Sequence, residues 1–338
     1  MATASWQKAA APWLMAAALG LLTAQGSVLA APTAAPATPP APPLLAEPAL
    51  LSAKALTAAM LGVDRAGDRL VAVGERGIVL LSDDHGRQWR QAPTPVRVSL
   101  TAVRFVDARR GWAVGHQGVI LHTQDGGEHW TKQFDGQATG GLDRPFFDLA
   151  VADDQRAIAV GAYGLAYATA DGGAHWAELP LAEANPRKNH LYAVRWTQGR
   201  IVIAGEQGLL LKSDDGGERF APLPSPYKGS WFGLLTTRSG ALIAHGLRGN
   251  AFRSTDGGLQ WSSLGTDSQA TLTASAQAAD GSVVLLDQAG DLQRSSDDGQ
   301  RFVRSQAPAP MPAASLAPTA DGAWVIATLR GMQRLAPR

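Results

Sequence analysis

Six aspartates recur in one setting. Asp84, Asp125, Asp171, Asp215, Asp256 and Asp297 each follow a Ser or Thr by two residues and precede a Gly by two, with a Trp or Phe three residues beyond the Gly. A carboxylate beside a hydroxyl could move protons or, in clusters, hold calcium. Six equivalent copies cannot all serve one active site. Each copy does suit a turn in which the hydroxyl and carboxylate accept hydrogen bonds from nearby amides. The six aspartates are therefore read as structural, and substituting Asp125 is expected to cost stability rather than an activity.

Other chemistry finds little footing. The histidines, His85, His116, His122, His129, His175, His190 and His245, show no metal-ligand spacing, and there is no cysteine to complete a zinc site or a disulfide. Phosphate-loop and dinucleotide fingerprints are missing. No metal, no cofactor and no catalytic residue is expected. A formal net charge of +1 argues against a general nucleic-acid binder, which needs concentrated positive charge.

The eight-residue boxes begin at Ser82, Thr123, Thr169, Ser213, Ser254 and Ser295, so the period is 41 to 46 residues. Such a period means stacked or radially repeated units. Ahead of each box lie short apolar or alternating runs separated by turn residues, as in 100–106, 111–115 and 118–122, and another run follows the box. That is the grammar of a four-stranded antiparallel meander. A Gly-x-x-Gly hairpin at 74–77, 115–118, 161–164, 205–208 and 246–249 joins the second and third runs, and its glycines are expected to supply positive φ. A sheet with two apolar faces is buried by closing a ring, so the chain is read as an all-β, single β-propeller over residues 44–338. Residues 315–318, 322–328 and 331–335 resemble a further unit without a box. Seven blades are expected, with six as the alternative. The ring is expected to be closed by an N-terminal strand from residues 44–51.

Residues 1–30 read as an export signal: Lys8, an apolar run from 9 to 24, and a small-residue exit suited to cleavage after Ala30. Residues 31–43 are almost entirely Ala, Pro and Thr and read as a linker. A bacterial periplasmic location is expected.

The run from Phe105-Val106-Asp107 through Gly111-Trp112-Ala113-Val114-Gly115-His116-Gln117-Gly118-Val119-Ile120-Leu121 to Thr123-Gln124-Asp125-Gly126-Gly127-Glu128-His129-Trp130 resembles the repeat of the photosystem II stability and assembly factor-like family, which is built on BNR/Asp-box propellers. The likeness extends over residues 44–338 and weakens late, where Asp287 and Thr328 replace the first hairpin glycine. It implies an exported, non-catalytic scaffold that binds a protein partner, a membrane-protein segment or envelope complex, through a basic surface. Photosynthetic members assemble membrane complexes; an envelope or transporter-associated role is implied elsewhere.

In a meander the boxes emerge on one face of the ring, and the hairpins and blade-to-blade links on the other. The latter gathers Arg76, Arg144, Arg187, Lys188, His190, Tyr227, Lys228 and Arg248 as candidate partner-binding residues, basic and aromatic groups suited to an acidic or amphipathic segment. Phe147, Tyr192 and Trp231 read equally as core. A monomer is expected. The alternative is a glycan-active or glycan-binding propeller, with two carboxylates assembled from different blades.

Overall fold

The computed structural model describes residues 43–137, 139–307 and 310–336. The export signal at 1–30 and all of the linker but Pro43 lie outside them. Seven antiparallel sheets follow one another along the chain, each a meander in sequence order; the first six have four strands and the last has three. The innermost strands, Met60–Ala66, Leu100–Phe105, Phe146–Val151, Leu191–Thr197, Trp231–Thr236, Leu272–Gln277 and Ala313–Pro318, neighbour one another in turn, and the first meets the last. This is a closed seven-bladed propeller. No helix among the described residues is long and apolar enough to cross a membrane.

Seven apolar clusters fill the seven spaces between consecutive blades. Second strands such as Gly111–Gly115 and Ala157–Gly161 are buried throughout because they face a neighbouring sheet on both sides. The box aromatic of each blade wedges into the space shared with the blade before: Trp89, Trp130, Trp176, Phe220, Trp261 and Phe302 occupy six clusters. The cluster between the sixth and seventh blades has none and is edged by half-buried Met311 and Leu335.

The boxes bond as turns. In the first, Ser82 Oγ donates to Asp84 Oδ1 at 2.9 Å and accepts from the Gly86 amide at 2.9 Å. Asp84 Oδ1 also accepts the amides of Arg87 and Gln88 at 3.0 and 2.9 Å. The Gln88 amide is the chief reason this carboxyl is held below its ordinary range. At Asp171, burial pushes the carboxyl up, but the His175 amide and ring and the Thr169 hydroxyl outweigh it and bring the pKa to about 2. No three acidic or histidine side chains converge to hold a metal among the described residues.

Two expectations need correction. Residues 44–51 do not form the outer strand of the seventh blade. Pro43–Ala46 is a helical turn, Leu45 is buried against the first and second blades, and the amides of Arg97 and Ala49 bond Leu44 O and Thr94 O respectively. A second turn, Ala53–Thr57, then reaches the last strand, where Leu56 O lies against Gly331. The ring is instead closed by packing of the first blade on the seventh, with Asp321 bonded by both Arg87 and Arg334 at 2.7 Å.

The hairpin glycines serve two different needs. The second glycine, as at Gly77 (φ 73°) and Gly118 (φ 65°), is left-handed as expected. The first is extended, with φ between −157° and −174°, and is required by close approach. A Cβ on Gly115 would stand 2.2 Å from Ser99 O, the carbonyl of the incoming link. Gly115→Ala should therefore cost about 1–3 kcal/mol. Denaturant unfolding with an unaltered midpoint would contradict this account.

A candidate binding mouth on the link face

All seven inner strands begin on the link face, and each carries a β-bulge at its second residue. A bulge turns a side chain out of the pleat. Here the seven bulged residues, Leu61, Thr101, Phe147, Tyr192, Phe232, Thr273 and Ala314, line one central channel with a cavity of about 450 Å³. Three consecutive blades supply aromatics. Phe147 and Tyr192 stack at 5.5 Å, and Tyr192 meets Phe232 at 4.9 Å. His190 extends the arc outward, 6.2 Å from Phe147 and 4.7 Å from the exposed Tyr163. Its Nδ1 accepts the Tyr163 amide at 3.0 Å.

Below this arc the channel is charged. Asp148, 9% exposed at its side chain, bonds Arg104 at 3.0 Å and Arg195 at 2.7 Å, joining three blades, and accepts the Val194 amide at 3.2 Å. Asp64 lies close by and accepts the Phe105 amide at 2.8 Å. Its burial raises its pKa, opposed first by the charge on Arg104. Burial lowers that of Arg195 against the pull of Asp148. His245 is fully enclosed and bonds Ser275 Oγ at 2.9 Å; burial drives it down to about 4, so its imidazole is neutral.

The candidate residues lie on links and hairpin turns of the link face, and none of the eight lines the central cavity. Arg76 and Arg248 occupy the left-handed central position of their hairpin turns, with φ of 53° and 56°. Both are exposed. The backbones of Arg144, Lys188 and Lys228 lie against the hairpin glycines Gly118, Gly164 and Gly208. Arg187 precedes Lys188 on the same exposed link. Arg76 borders a separate recess with Leu44, Arg97, His116 and Leu142. His190 joins the aromatic arc. Tyr227 is half-buried against Trp231 at 5.3 Å, and Trp231 is wholly core. Among the described residues none of Arg76, Arg144, Arg187, Lys188, Lys228 and Arg248 is in an ion pair. On the box face Arg69, Arg87, Arg90, Arg200, Arg253 and Arg334 all have carboxylate partners.

Sequence reasoning missed Phe232 and the ions Asp64, Arg104, Asp148 and Arg195. The signal was present: aligning the repeats puts Phe147, Tyr192 and Phe232 at one position, and Asp64, Arg104 and Arg195 at another.

Repeated corners and a closed ring define a seven-bladed β-propeller of Asp-box repeats. The chain belongs to the family described as Photosynthesis system II assembly factor YCF48, whose model matches residues 81–139 and 137–309. Among solved structures it is similar to YCF48 bound to D1 peptide, at 19% identity and TM-score 0.67, covering 86% of this chain and 96% of that one. YCF48 from Cyanidioschyzon merolae matches at 15% identity and TM-score 0.66, covering 83% and 96%. The GH74 xyloglucanase from Xanthomonas campestris also matches, at 16% and 0.64, covering 82% of this chain and 52% of its own. At such identities these likenesses establish the fold. No curated protein matches the sequence.

Proposed function

We propose that this protein is a non-catalytic assembly factor that holds a polypeptide segment of a membrane or envelope protein at the mouth of the channel. The observation that carries the reading is the aromatic arc Phe147–Tyr192–Phe232 in the channel, on the face whose links carry Arg144, Arg187, Lys188 and Lys228. Planar apolar rings give contact area at low entropic cost, and rim cations speed and orient the approach of an acidic segment. Membership of the assembly-factor family and the similarity to YCF48 bound to D1 peptide support a protein ligand. The leader-like segment at 1–30 favours work outside the cytoplasm, in a bacterial periplasm.

The test is capture of a partner from solubilised envelope membranes by wild type and by an Arg187→Glu/Lys188→Glu variant. Removing two rim cations should slow association and reduce capture at low salt by about tenfold, with less effect at high salt. Unchanged capture at both salts would remove this surface from the proposal.

A second reading, glycoside hydrolysis, has one observation in its favour: Asp64, its pKa raised by burial, shares the channel with a second carboxylate, Asp148. Against it, Asp148 is held by two guanidinium groups and an amide. Sugar release from xyloglucan or a sialoside by purified protein would replace the first reading.

A further inference from the structure

The rings at the mouth form one unbroken series. Tyr163 meets His190 at 4.7 Å, His190 meets Phe147 at 6.2 Å, Phe147 meets Tyr192 at 5.5 Å, and Tyr192 meets Phe232 at 4.9 Å. Phe147, Tyr192 and Phe232 line the channel, whereas His190 and Tyr163 carry the series outward over the link face. The first four named from the channel outward are half-buried, and Tyr163 is exposed. The bulged residues of the remaining blades are Leu61, Thr101, Thr273 and Ala314. The channel therefore has flat rings along one side and aliphatic or small side chains along the other.

The polar groups of this shelf are free to meet a guest. His190 Nδ1 accepts the Tyr163 amide at 3.0 Å, so the neutral ring carries its proton on Nε2, which has no partner among the described residues. The hydroxyls of Tyr163 and Tyr192 have none either, and none of the three atoms is sealed from solvent. Each can donate to a carbonyl. The backbone at the outer end is spent. The amide of Ala162 bonds Pro145 O and that of Glu206 bonds His190 O, both at 2.9 Å, while that of Tyr163 is held by the imidazole. These turns offer no ladder to a strand, and a guest whose amides need partners finds none in them. A proline-rich guest has no such need. It lacks the N–H, turns its unpaired carbonyls outward, lays flat pyrrolidine faces on aromatic rings, and is already extended before it binds.

We propose that the segment held at the mouth is proline-rich and lies on this shelf as a polyproline II helix. Its ring faces pack on Tyr163, Phe147, Tyr192 and Phe232, and its carbonyls accept from His190 Nε2 and the two tyrosine hydroxyls. The inference rests on the mouth being a polypeptide site and names the chemistry of what the site takes.

The probe is a labelled peptide of about ten prolines, which adopts polyproline II in water, with a Gly-Ser peptide of equal length as control. Titrated with the full chain, the proline peptide should give saturable anisotropy and the control none. Gln117 and Gln207 hold the place of Tyr163 in their own hairpins, with φ of 56° and 54° against 55°, so Tyr163→Gln keeps the turn. It should weaken binding about fivefold through the lost ring. Tyr192→Phe should weaken it about threefold through the lost hydroxyl alone. The contact uses no charge, so the Arg187→Glu/Lys188→Glu variant should bind the proline peptide as wild type does, at low and high salt. Excess peptide should also displace a partner captured from envelope membranes. Absence of binding, equal binding of both peptides, or undiminished binding by both tyrosine variants would each overturn the proposal. So would a captured partner that the proline peptide fails to displace, a result that leaves the mouth a polypeptide site of different chemistry. Binding seen only after removal of the chain's own residues 31–42 would give the shelf to that segment and overturn it as well.

Discussion

Asp148→Ala is expected to destabilise the propeller by about 3–5 kcal/mol, the usual cost of stranding a desolvated charge. Asp148 is the shared acceptor for Arg104 and Arg195, whose side chains are 29% and 22% exposed. Removing it leaves two guanidinium groups facing each other in the channel and the Val194 amide without its acceptor. The cost should fall as unfolding at lower denaturant with an unchanged slope. A companion variant, Arg104→Met/Asp148→Leu/Arg195→Met, should be far less destabilised, because no charge remains to be stranded. If the single change were mild and the triple severe, the ions would be net stabilisers in their own right and this account would fail.

Trp231→Ala carries a comparable expected loss, about 3–5 kcal/mol, for a different reason. The indole is fully buried between the fourth and fifth blades, edge-on to Phe252 at 5.7 Å and to Tyr227 at 5.3 Å. Its Nε1 donates to Ser225 Oγ at 3.2 Å, tying the preceding link to the core. Truncation empties that space and frees the link that bears Lys228. Calorimetry should show the lower midpoint, and faster amide exchange should appear around Tyr227. A midpoint within a degree of wild type would mean that neighbouring side chains collapse into the gap.

The frame was legible in the sequence because its chemistry is repeated. Ser82, Asp84, Gly86 and Trp89 mean little alone, but five further copies at a steady period define a turn, a strand start and a wedge. The site was legible only in part. Arg187, Lys188 and His190 stand on a long link and announce themselves, whereas Phe232 and Asp148 sit inside apolar runs and pass for core. Phe232 reaches the channel through the bulge at the second residue of its inner strand, a shift of register that no local pattern marks. Residues 44–51 misled for a related reason. Alternating apolar residues such as Leu45 and Ala49 fit a strand or a clamp equally well, and the choice depends on which amides are within reach. The first hairpin glycine was assigned the wrong cause, since a missing side chain can serve a close contact as readily as a left-handed turn.

Each corner of the ring hooks into the segment before it, which gives the hoop a direction of unravelling. The joint between the first and seventh segments holds the Trp89 ring and the Asp321 latch. The joint between the sixth and seventh holds no such hook. On heating the hoop is therefore expected to part there first, leaving the last three strands fastened to the first segment by the Trp89 ring and the Asp321 latch.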